Sequence, residues 1–282
     1  MNARVRASIF VLMSAAMFST AGLFMGLLDT PLWTIVFWRS AFTLMFTIVL
    51  VVCRQNRLAL LGLDGHALVA SLMSASATLS FIPALRLTSV ANVAVIHASL
   101  PLLTTMLAVL VSNEPISLRT TAFSVVAAAG TIVIFAGSVS SSVGIIGDVL
   151  ALAMTTCMAF MTIALRRSKT PTVLGMIGLS SAVSMIVATL IADRFAVTGR
   201  EIWLLASFAF FQTSIGLVFY AKGARLLPPA ATALLCLAEV PLSILSVWLA
   251  YGARPPWQTA CGGALVLLAV IAELIGPRHA TE

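Results

Sequence analysis

The sequence predicts an all-α integral membrane protein of ten helices, arranged as two five-helix halves of opposite orientation. Three observations predict it. Apolar residues make up 61% of the 282 positions, charged residues only 9%, and the mean hydropathy is +1.11. A soluble domain covers its surface with about 25% charged residues, so lipid is the solvent for most of this chain. The charges lie between the apolar runs rather than within them. Finally, the second half of the sequence repeats the punctuation of the first.

A spanning helix needs about 20 mostly apolar residues. The first run, 5–28, follows Arg4 and Arg6 as a signal peptide would, but it is long enough to span and no A-x-A site follows. It is therefore expected to be an uncleaved first helix. Thr30-Pro31 turns the chain into the second span, 32–53, and spans three and four cover 66–86 and 90–112. Asn113-Glu114-Pro115 makes the next turn, before spans five to eight at 117–137, 144–165, 172–193 and 202–224. Pro228-Pro229 opens the ninth at 229–252, and Pro255-Pro256 precedes the tenth at 257–276. The loops leave no room for a soluble domain.

Basic residues orient the bundle, since cytoplasmic loops carry the excess of Lys and Arg. With the N-terminus inside, Arg4, Arg6, Arg54, Arg57, Arg119, Arg166, Arg167, Lys169, Lys222, Arg225 and Arg278 are cytoplasmic. Arg86, Arg194, Arg200 and Arg254 are outside, and Arg39 stays within a span. Both termini are expected in the cytoplasm of a cell (inner) membrane protein. The net charge of +7 is a topology signal on this reading, not a nucleic-acid footprint. Cys53, Cys157, Cys236 and Cys261 form no C-x-x-C and sit in or beside apolar runs, as small packing residues do.

A shift of 140 residues aligns Thr30-Pro31 with Thr170-Pro171, Pro101-Leu102 with Pro241-Leu242, and Pro115 with Pro255. Ser40 and Ser180 also coincide. The repeats are bounded at 1–137 and 144–282. Five spans is an odd number, so the second repeat enters the membrane from the opposite side. Inverted repeats give a chain two related conformations, the usual basis of alternating access.

Charged groups at mid-membrane are costly and require an explanation. Glu239 lies near the centre of span nine, on one face with Thr232, Ser243 and Ser246, and Pro241 frees a backbone carbonyl nearby. It either lines a substrate path or makes a structural pair with Arg or His on another helix. His97 occupies the matching span, four residues before Pro101; its imidazole can bond a substrate or carry a proton, or simply pack. Arg39 is about seven residues in from the outer end of span two, where a structural or gating role is favoured. Pro101, Pro241 and Arg39 form the candidate gating set. Gln212 and Phe219 share a face of span eight and could present an amide and a ring; Phe160 of span six is a further candidate. Ser71, Ser74 and Thr78 on span three are read as close-packing residues.

No H-E-x-x-H, G-x-S-x-G, P-loop or Cys/His cluster occurs in the sequence. No cofactor or metal is expected, and movement of a solute would be driven by gradients. The chain resembles the drug/metabolite transporter superfamily in its ten-helix form of two EamA-type repeats. The resemblance rests on Phe37-Trp38-Arg39-Ser40, Ala84-Leu85-Arg86-Leu87-Thr88, Pro101-Leu102-Leu103, Asn113-Glu114-Pro115, Gly130 and Ala238-Glu239-Val240-Pro241. One departure is Arg254, where many members repeat the glutamate matching Glu114.

The closest resemblance is to YddG-type exporters of aromatic and other neutral amino acids. That implies a basket-shaped bundle whose central cavity is lined by spans one, three, four, six, eight and nine. His97, Phe160, Gln212, Phe219 and Glu239 lie on four of these spans, and the substrate would flow outward. The expected partners are a small-molecule substrate and the lipid bilayer, with a monomer preferred over a dimer and no nucleic acid. A carrier for a nucleobase, polyamine or cationic drug remains open. An intramembrane enzyme would leave the inverted repeat unexplained, and a channel would need a filter or charge ring that the sequence lacks.

Overall fold

The computed structural model describes residues 3–53, 62–112, 117–135, 144–170, 173–252 and 257–275. Among these residues every regular element is helical. In order they are α1 (Ala3–Phe18), α2 (Ala21–Leu27), α3 (Leu32–Cys53), α4 (Gly65–Leu87), α5 (Val90–His97), α6 (Leu100–Ser112) and α7 (Leu118–Phe135). The second half continues with α8 (Ile145–Arg167), α9 (Leu174–Ile191), α10 (Gly199–Phe208), α11 (Gly216–Ala224), α12 (Pro229–Cys236), α13 (Glu239–Tyr251) and α14 (Trp257–Ile275). A π-helical stretch, Ala209–Ile215, joins α10 to α11. Nine stretches among the described residues are long and apolar enough to cross a membrane, and Leu118–Ile134 is a shorter tenth. The turns at Glu114-Pro115, Pro171 and Arg254-Pro255 lie outside the described residues.

Ten spans become fourteen helices because four spans are interrupted. Span four breaks at Ala98-Ser99 and span nine at Leu237-Ala238, just ahead of Pro101 and Pro241. A proline removes one ladder hydrogen bond, and its ring collides with the carbonyl four residues back. Those carbonyls belong to His97 and Leu237, so the breaks fall where the chemistry requires. Span one breaks at Ser19-Thr20 without a proline. There the Ser19 hydroxyl bonds Ala16 O at 2.7 Å and the Thr20 hydroxyl bonds Met17 O at 2.7 Å, competing with the helical ladder. Span eight is widened instead by its π turn.

Helix starts follow local chemistry. Asp64 caps α4 through Ala67 N at 2.7 Å, Ser89 caps α5 through Asn92 N at 3.0 Å, and Thr198 with Glu201 forms a capping box on α10. Pro229 occupies the first turn of α12, and Gly252, at φ 69°, ends α13 in the left-handed conformation that glycine tolerates.

The principal packing partners are α4 with α8, α1 with α11, α3 with α9, α6 with α12, and α7 with α14. The 140-residue shift converts the first pair into the second and returns α3–α9 and α7–α14 to themselves. The molecule is a two-repeat helical bundle. Small residues set the closest approaches: a Cβ on Gly130 would lie 2.8 Å from Gly262 O, and one on Gly147 would lie 2.7 Å from Thr88 N. Large apolar side chains face outward, with Leu190 81% and Leu249 74% exposed, as expected where the solvent is lipid. The protein is a multi-pass membrane protein.

Candidate functional site

Between the interrupted spans lies a cavity of about 390 Å³, within the range of roughly 300–1,000 Å³ common for small-molecule sites. It begins near the middle of the bundle, at His97, Met161, Leu217 and Glu239, and extends to Gly26 and Arg86 at the ends of α2 and α4. The other half of the bundle is filled by Ala7, Val11, Leu165, Met176, Ala224 and Leu227, all buried in one apolar cluster. The Thr162 and Tyr220 hydroxyls bond to each other, and Phe18 lies 6.0 Å from the Tyr220 ring. The cavity is therefore closed on that side.

His97 is the last residue of α5 and Glu239 the first of α13, each beside its helix break. The breaks bring them together: His97 Nε2 is 3.1 Å from Glu239 Oε1, with the side chains 7% and 19% exposed. At that distance imidazole and carboxylate can share a proton. The Cys236 thiol lies 3.9 Å from Glu239 Oε2, while His97 Nδ1 is buried without a partner. The structural alternative for Glu239, a pair with a histidine on another helix, is thus realised, since either group alone would be costly inside a membrane; both groups also line the cavity.

Arg39, 2% exposed, also reaches the cavity wall. Its Nη1 donates to Gln212 Oε1 at 3.0 Å, and its guanidinium stands 5.2 Å over the Phe208 ring. Gln212 sits in the π-helical stretch, a form often found at functional sites. It also accepts the Thr213 hydroxyl at 3.0 Å. Thus Arg39 ties α3 to the widened turn of span eight.

Four of the residues singled out in the sequence, Arg39, His97, Gln212 and Glu239, line this cavity; Pro101, Pro241, Phe160 and Phe219 do not. The prolines set the breaks from behind the wall. Phe219 stacks on Phe10 with centroids 6.0 Å apart, and Leu217 occupies the cavity position instead. Phe160 is half-buried elsewhere on α8. Much of the apolar wall is supplied by Met154, Met158 and Met161 on α8, Met25 on α2, and the rings of Phe18 and Phe81. The three α8 methionines recur at helical spacing, a signal available in the sequence. Ser74 and Thr78, read as packing residues, also face the cavity.

The EamA-like transporter family matches the chain twice, over residues 5–136 and again over 145–273. A crystal structure of another protein superposes with a TM-score of 0.83 at 19% identity, covering 96% of this chain and 98% of that one; this likeness concerns the fold. Among curated proteins, none matches this sequence. Matched over both halves, the chain belongs to the EamA-like transporter family, whose members move small solutes across membranes.

Proposed function

We propose that this protein is a carrier of small amphipathic metabolites, aromatic and other neutral amino acids foremost, and exports them across the cell (inner) membrane by alternating access. The observation that carries this reading is the cavity itself. It stops at the His97–Glu239 pair and is closed beyond it by Phe18, Tyr220 and Thr162. The wall suits the substrate class. Methionines and phenylalanines offer a soft, adaptable surface to a ring, and Glu239 offers a negative partner to an ammonium group.

The direction of the opening follows from the basic residues. With both termini cytoplasmic, the ends of α2 and α4 face outward, so this conformation is outward-facing. The two repeats, 1–137 and 144–282, run in opposite senses. Exchanging their conformations closes the outer half and opens the inner one, with the breaks ahead of Pro101 and Pro241 as the bending points. One chain encloses the whole cavity, which supports a monomeric carrier.

Reconstitution into liposomes tests this reading. Labelled tryptophan or threonine should enter saturably, be accelerated by unlabelled substrate inside, and be inhibited by related amino acids. Flux of polyamines or cationic drugs without amino-acid flux would move the substrate to the cationic class, and absence of counterflow would remove the carrier mechanism.

A further inference from the structure

A second, smaller chamber adjoins the main cavity. Its volume is about 10 Å³, room for roughly one water-sized particle. Its lining residues other than Arg39 all carry hydroxyls: Ser40 and Thr43 from α3, Thr78 from α4, Ser180, Ser181 and Ser184 from α9, and Thr213 from the π turn. Ser40 and Ser180 are the serines matched by the 140-residue shift, so the chamber sits where the two repeats meet.

Charge is unbalanced at this point. Arg39 is 2% exposed, yet its bonded partner is the neutral amide of Gln212, at 3.0 Å, and its stacking partner is the neutral Phe208 ring, at 5.2 Å. Arg39 Nε and Ser184 Oγ are both buried without a hydrogen-bond partner. Among the described residues no carboxylate pairs with Arg39; Glu239, on the main cavity wall, is engaged with His97 at 3.1 Å. A guanidinium inside a bilayer is costly and is favoured by a nearby negative charge, and an orphaned buried donor calls for an acceptor. A neutral water in the chamber would supply the acceptor and leave the charge.

We propose that this chamber binds one small monovalent anion of chloride size, held by Arg39 Nε–H and the serine hydroxyls. The protons of Thr43 and Thr213 are directed to Arg39 O at 2.8 Å and Gln212 Oε1 at 3.0 Å. The donors left unpartnered for the anion are Arg39 Nε–H and the Ser184 hydroxyl, with Ser40, Ser180 and Ser181 on the same wall. An anion here bridges α3 and α9, a pair that maps onto itself under the repeat, and so stabilises the contact between the halves. This inference stands independently of which solute is carried.

The test is halide binding by purified protein in detergent, read as the thermal unfolding midpoint while sodium chloride or bromide replaces sodium gluconate at fixed ionic strength. The midpoint should rise and saturate with chloride and bromide, and stay flat with gluconate. Ser184→Ala, a mild change that protects folding, should weaken the halide response about tenfold or more, the loss of one hydrogen bond to a charged group. Arg39→Gln should abolish it. Superimposed chloride and gluconate curves for the unmodified protein would overturn the proposal in favour of a resident water. An undiminished halide response in Ser184→Ala and Arg39→Gln would equally overturn it, by placing the anion elsewhere.

Discussion

The Thr170 hydroxyl donates to Asp64 Oδ1 at 3.1 Å, tying the loop after α8 to the cap of α4. Its counterpart under the repeat, Thr30, donates to Glu201 Oε1 at 2.5 Å and ties the loop after α2 to the start of α10. Each threonine of a Thr-Pro pair thus holds an acidic residue that opens a helix in the other half. Asp64 also accepts from Ser168 Oγ at 3.0 Å and Lys169 N at 2.6 Å.

The Asp64 tie predicts a pH dependence. Burial pushes its carboxyl upward, but the bonds from Lys169 N, Ala67 N, Ser168 and Thr170 outweigh this and hold it at about 2. In an unfolded chain an aspartate titrates near 3.9. A depressed folded value means the stabilisation is complete above about pH 4 and is lost as pH falls toward about 2. Asp64→Asn keeps a competent cap but removes the charge that these bonds favour, and should therefore lower the thermal midpoint at neutral pH. The gap to the unmodified protein should narrow below pH 4; a constant gap across that window would show that the carboxylate charge is not responsible.

The His97–Glu239 contact predicts coupled losses in transport. His97→Gln and Glu239→Gln each leave the other group in the cavity without its partner. Each should cut counterflow about tenfold, by the scale of a hydrogen bond to a charged group. The double variant should be no worse than the more damaging single change, because residues acting as one unit are not additive. Fully multiplicative effects would mean the two groups work separately.

Much of this fold was legible because lipid imposes a simple rule: each span must be apolar and satisfy its own backbone. The apolar runs gave the spans, and Pro101 and Pro241 marked two breaks that the structure places at Ala98-Ser99 and Leu237-Ala238. The break at Ser19-Thr20 was hidden, since it depends on hydroxyls bonding backward, which many uninterrupted helices also tolerate. Phe219 failed for a different reason. Gln212 and Phe219, seven apart, share a face only if the turns between them are α-helical. The π turn over Ala209–Ile215 adds about one residue to that turn, so the wall runs Gln212, Thr213, Leu217. For Thr78, spacing identified a shared face but could not say whether that face met a helix or a cavity, and the α8 methionines carry the same ambiguity.

Gly22 separates cavity-lining from packing glycines. It lines the cavity, and a Cβ placed on it meets nothing within 4 Å. A Cβ on Gly130 would instead lie 2.8 Å from the backbone of Gly262, where overpacking costs about 1–3 kcal/mol. Gly22→Phe should fill the cavity and abolish flux while leaving the thermal midpoint near that of the unmodified protein. Gly130→Ala should lower the midpoint while flux per folded molecule persists. Normal flux in Gly22→Phe would show that the solute takes another route.

The closed half of the bundle gives the most direct check on alternating access. Gly26 lines the cavity at the end of α2, whereas Leu227, 2% exposed, is sealed into the cluster on the opposite side. Cys53 and Cys261 are exposed and Cys157 is partly so; with these and Cys236 replaced by alanine, single cysteines can be followed. In cells, Gly26→Cys should react with a membrane-impermeant thiol reagent from outside, and bound substrate should slow that reaction. In inverted vesicles, Leu227→Cys should be silent at rest and become reactive while substrate is cycling, because the inward-open state separates the packing around it. Reaction of both positions from the same side, or a Leu227→Cys that stays silent during measured flux, would rule out an exchange of conformations between the two repeats.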